Sequence, residues 1–164
     1  MRKSLEAISL AALAFMFWVY WNARFGLGRL PERIPIHFNF AGQPDAWGKP
    51  TMLPIMPVVA LVLYLLLTVL ARFPSIFNYP VEVTAENRPR LEALALDMIA
   101  WIKMEMVCLF AWIQWSTIEV ARQGRGGLSP ALLPVFLVTL FGTLAWFITA
   151  MRRAAAGDPG LQPR

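Results

Sequence analysis

Four apolar runs, at about residues 5–21, 52–70, 94–121 and 132–151, dominate this 164-residue chain. A hydrocarbon core about 30 Å thick takes roughly 20 helical residues per crossing. Within it every backbone polar group has to be satisfied by the segment itself or its neighbours. The runs therefore predict an all-α integral membrane protein, a four-transmembrane-helix bundle, with residues 1–151 as one membrane domain. Composition agrees, since 58% hydrophobic and 15% charged residues are too apolar a mixture for an ordinary soluble domain.

Met1-Arg2-Lys3 followed by Ile8 to Trp21 has the charged start and apolar run of a signal peptide. No small-x-small cleavage site follows, so the segment is expected to stay as the first span. Trp18, Tyr20 and Trp21 collect at its far end as an interfacial belt. Pro54 and Pro57 fall in the first turns of the second run, where a missing donor costs least. Arg152 and Arg153 are expected to stop the fourth span, leaving a disordered tail at 152–164 with Gly157, Pro159, Gly160 and Pro163.

The net charge of +5 comes from Lys and Arg scattered between the apolar runs. That placement suits a lipid bilayer surface rather than nucleic acid, for which no signature is found. Cys108 is the single cysteine and lies inside an apolar run, so no intrachain disulfide can form. With both termini inside, eight Lys and Arg fall inside and six outside, which places the termini in the cytoplasm of a multi-pass protein of the cell membrane.

The most specific stretch is the Pro- and Gly-rich connection 30–50, LPERIPIHFNFAGQPDAWGKP. Pro31 and Pro35 forbid a helix through its start. Ile34, Ile36, Phe38 and Phe40 alternate with Pro35, His37 and Asn39, and Ala41 to Asp45 supplies a turn, so two short extended pieces are expected. Folding back at that turn would set His37 against Asp45. The candidate extracytoplasmic binding residues are Pro31, Pro35, His37, Phe38, Gly42, Asp45, Gly48 and Lys49.

This stretch, Leu-Pro-x-x-Ile-Pro-x-His-Phe, then Gly, Asp and Gly-Lys, resembles the signature of the prokaryotic membrane family called domain of unknown function 1648. A second stretch, Phe77 to Asn87 with Asn78, Tyr79, Pro80 and Asn87, is similar to the loop after the second span in that family. The resemblance runs from about Met1 to Ile118. It implies kinship with the N-terminal part of sporulation-delay-toxin immunity proteins, hence an envelope module that protects or signals.

The third run alone is expected to carry charges, Asp97, Lys103 and Glu105. At 100° per residue Asp97, Glu105 and Cys108 share one side, while Lys103 and Gln114 lie roughly opposite. No charged partner is expected from the other three runs. Charges at a bilayer centre cost about 2.5–3.5 kcal/mol each, so either Lys103 snorkels to the headgroups or these residues form a functional polar site. A third reading pairs Lys103 of one protomer with Glu105 of the next in a homo-oligomer.

One His and one Cys are too few for an ordinary zinc site, so no metal or cofactor is expected. The leading reading is a non-enzymatic envelope module that binds a peptide, lipid or membrane-protein partner through the His37 loop. Its rivals are an accessory subunit of a larger membrane complex, a membrane-embedded enzyme using His37 with Asp45 or Glu105, and a small transporter.

Overall fold

The computed structural model describes residues 1–26 and 30–156. They form four helices: α1 (Arg2–Phe25), α2 (Ile55–Leu70), α3 (Arg88–Gln123) and α4 (Leu132–Ala155). Between α1 and α2 stands an antiparallel hairpin of β1 (Ile34–Phe38) and β2 (Pro44–Gly48). The fold is thus mostly helical rather than all-α, and the connection 30–50 is ordered into strands.

Segments Arg2–Phe25, Pro50–Leu70 and Leu132–Ala155 are long and apolar enough to cross a membrane. Their outward residues are correspondingly apolar, with Trp18 and Trp21 on α1, Leu66 and Val69 on α2, and Val138 and Phe141 on α4 all exposed. The third helix is not among them. Its charges and amides lower its hydropathy, and the fold compensates by surrounding it: α3 packs against α1, α2, α4 and β1.

At 36 residues α3 is about 54 Å long. Pro89 sits in its first turn, where no donor is needed, and Gly124 ends it in the left-handed conformation at φ 64°. On α1, Leu5, Ser9, Leu13, Met16, Val19 and Ala23 make the narrow buried stripe, in which Val19 and Ala23 cluster with Ile118 and Ala121 of α3. Ala60, Ala100 and Ala111 keep neighbouring backbones close, as small residues do between helices with lipid-like surroundings.

The helix α4 runs through Arg152 and Arg153 to Ala155, so the first residues of the expected tail are helical. Cations in a last turn complement the partial negative charge of the helix end, so they extend it rather than break it. The remainder of the expected disordered tail, 157–164, lies outside the described residues.

Candidate functional site

The hairpin is built around Asn39. Its Oδ1 accepts the amides of Ala41 and Gln43, both at 3.0 Å, which fixes the turn. Gly42 follows with φ +75° and donates its amide to the Asn39 carbonyl at 2.8 Å. The Gly42 carbonyl then accepts the amide of Leu128 at 2.8 Å, tying the turn to the α3–α4 connection. A Cβ on Gly42 would come within 2.0 Å of the Leu128 carbonyl oxygen. Only glycine satisfies both the dihedral and the approach.

Ile34 pairs with Gly48, Pro35 with Trp47, His37 with Ala46 and Phe38 with Pro44. Ile36 on β1 and Asp45 on β2 are left over, so both strands bulge. Bulges bend a strand and re-aim its side chains. Here they break the expected alternation: Ile34 and Pro35 are both buried, while Ile36 and Phe40 are exposed. They also bring His37 and Asp45 together, as the turn predicted.

His37 Nδ1 lies 2.5 Å from Asp45 Oδ1. The carboxylate accepts, so Nδ1 donates and the ring keeps Nε2 for another partner. Both side chains are open to solvent, at 68% and 41% of their full exposure. A pair so exposed adds little to stability. Lys49 and Arg33 flank the open end of the hairpin and are exposed, as is Pro31, while Phe38 and Gly48 are half-buried.

Beneath the hairpin is a cavity of about 160 Å³, roofed by Ile34, Ile36 and Phe38 and floored by Ile113, Gln114 and Thr117 of α3. Gln114 is 2% exposed, and its Nε2 has no hydrogen-bond partner among the described residues. Residue spacing alone gave Gln114 no role; only the packing of β1 onto α3 makes it a pocket residue.

The charges of the third helix find partners after all. Lys103 is 2% exposed, and its Nζ meets Glu6 Oε1 at 2.5 Å and Thr68 Oγ1 at 3.0 Å. It also lies 4.5 Å from the Tyr64 ring centroid, while the Tyr64 hydroxyl donates to Glu6 Oε2 at 2.9 Å. Asp97 Oδ1 binds Arg2 Nε at 2.7 Å. The expectation of no charged partner is therefore overturned, since Glu6 lies within the first apolar run.

Glu105 faces the other side of α3, as the helical projection predicted, and its Oε1 accepts the Thr143 hydroxyl at 2.6 Å. The buried Oε2 has no hydrogen-bond partner among the described residues. His37 is not brought to Glu105, because the hairpin packs on the 113–121 end of α3.

The second signature stretch is structural in its geometry. Tyr79 donates to the Pro74 carbonyl at 2.9 Å. Asn87 accepts the Thr84 amide at 2.8 Å and donates to the Glu82 carbonyl at 3.0 Å. Phe77, Tyr79, Val81 and Val83 pack over Leu91, Ala95, Met151 and Ala154. Asn78 and Pro80 are exposed. Some 20 residues of α3, about 30 Å, separate this patch from the hairpin.

Residues 7–61 match the model of the domain of unknown function DUF1648. The match covers most of α1, the hairpin and the start of α2, and stops short of Phe77 to Asn87. An uncharacterized protein of Archaeoglobus fulgidus is 30% identical over 86 residues, covering 48% of this chain. The chain spans about half of that relative, 45% of its length. No solved structure matches.

Proposed function

Taking residues 7–61 as a DUF1648 domain, we propose that this chain is a small multi-pass membrane protein that works as a non-enzymatic binding or signalling module. In this reading α3 is the fourth span, sheltered by its neighbours, and the termini are cytoplasmic. The hairpin then stands on the outer face and recognises a peptide or membrane-protein partner. One observation carries the reading: an exposed His37–Asp45 pair is held at 2.5 Å on a hairpin whose turn is clamped to the α3–α4 connection. Binding groups are commonly loops fixed by a rigid scaffold, and this pair contributes too little to stability to be explained by folding. Exposed Phe40 and Trp47 on the same hairpin supply apolar contact area.

The test is photo-crosslinking from position 47 in native membranes, with and without the substitutions His37→Ala and Asp45→Asn. A discrete adduct that disappears in the double variant is expected. An unchanged adduct, or none, rejects the reading. Stoichiometric foreign subunits that co-purify regardless of His37 would assign the chain to a larger complex instead.

A further inference from the structure

At the end of the bundle away from the hairpin, a cavity of about 240 Å³ lies between α1, α2 and α3. Its floor is the Lys103–Glu6 pair. Lys103 binds Glu6 Oε1 and Thr68 Oγ1, and the second Glu6 oxygen accepts the Tyr64 hydroxyl, so these groups already have their partners. The rim is different. Arg2 and Arg72 both line the cavity and both are exposed. Arg2 gives Nε to one oxygen of Asp97 at 2.7 Å, while a guanidinium carries five donors. Arg72 forms no ion pair among the described residues.

Charge narrows what such a cavity takes. Arg2, Arg72 and Lys103 are answered only by Glu6 and Asp97, which leaves one positive charge over. Water can occupy the donors but brings no negative charge. Two guanidiniums offered by different helices suit phosphate, whose oxygens take paired N–H bonds from arginine. Size agrees: about 150 Å³ holds a benzene-sized group, so about 240 Å³ has room for a phosphate and the first atoms esterified to it. Position agrees as well. Arg2 begins one membrane-type segment, and Arg72 follows closely on the end of another, Pro50–Leu70. Basic side chains at that level meet the phosphates of anionic lipids.

We infer that this cavity binds a phosphate group, held by Arg2 and Arg72 above the Lys103–Glu6 pair. The headgroup of an anionic phospholipid and a soluble phosphate share this chemistry, and the experiment separates them. His37 and Asp45 take no part, so the inference stands or falls separately from partner recognition at the hairpin.

Thermal unfolding of the full chain in neutral detergent at fixed ionic strength, titrated separately with dioleoyl phosphatidylglycerol and with inorganic phosphate, tests it. A ligand that binds the folded state raises the melting temperature with its concentration. A saturable rise with phosphatidylglycerol alone makes the ligand a lipid headgroup; a saturable rise with inorganic phosphate makes it the soluble group. Arg72→Gln, which removes no ion pair, should weaken the binding at least about fivefold, the worth of one hydrogen bond. Ala71→Trp, which fills the cavity without changing its charge, should weaken it as much. Arg153→Gln, on α4 and outside the cavity, should leave it unchanged. No saturable rise with either probe, or one that survives Arg72→Gln or Ala71→Trp, overturns the inference. An equal loss in Arg153→Gln would reveal attraction to the overall positive charge and overturn it as well.

Discussion

Lys103 Nζ lies 2.5 Å from Glu6 Oε1, a carboxylate ninety-seven positions earlier in the chain. With Thr68 and the Tyr64 ring on the same ammonium, this contact joins α1, α2 and α3 at a single buried charge. Removing one partner of a fully buried pair costs about 3–5 kcal/mol, whereas replacing both is often neutral; here Lys103 is buried while the Glu6 side chain is 36% exposed, so the loss is smaller than that. Glu6→Gln should therefore destabilise and Glu6→Gln with Lys103→Met do so less. Thermal melts in detergent check this; equal losses in the single and double variants would mean the pair does not act as a unit.

The clamp between Gly42 and Leu128 makes a second prediction. Gly42→Ala meets both a left-handed dihedral and the Leu128 carbonyl, while Gly124→Ala meets only the dihedral, with nothing within 4 Å of its new Cβ. Gly124→Ala should cost about 1–2 kcal/mol and Gly42→Ala clearly more. Amide hydrogen exchange should rise across residues 34–48 in Gly42→Ala alone.

His37 and Asp45 should behave in the opposite way. Both are exposed, so His37→Ala and Asp45→Asn should each change stability by less than about 1 kcal/mol. Melting temperatures close to wild type, beside a lost crosslink from position 47, are the expected pattern. A large drop in melting temperature would make the pair a structural latch.

Tyr79 gives a pH dependence. Burial, and then the nearby Glu92 carboxylate, push its phenol above the ordinary value, with Arg88 opposing. The fold thus favours the neutral phenol, which donates to the Pro74 carbonyl. Its stabilisation is complete below the ordinary phenol value of about 10 and is lost as pH rises through the higher folded value. The tyrosinate absorbance of wild type minus Tyr79→Phe should develop only above pH 10; a component titrating lower would show that the hydroxyl is not held as described.

The amino-acid pattern by itself determined three membrane-type helices, because a 20-residue apolar run has few other ways to satisfy its backbone. It also determined the turn that sets His37 against Asp45, since Pro31, Pro35, Asn39 and Gly42 act over a few residues. Tertiary structure decided what depended on distant parts of the chain. Glu6 reads as an ordinary near-terminal charge until α1 lies beside α3, and Lys103 reads as a charge without a partner for the same reason. The two bulges decided which hairpin residues are covered, as no local rule fixes the pairing register where the strands carry prolines. Gln114 became a pocket residue only when β1 packed over it. Contacts between elements tens of residues apart have no local signature, because periodicity records which face of a helix is covered and not what covers it.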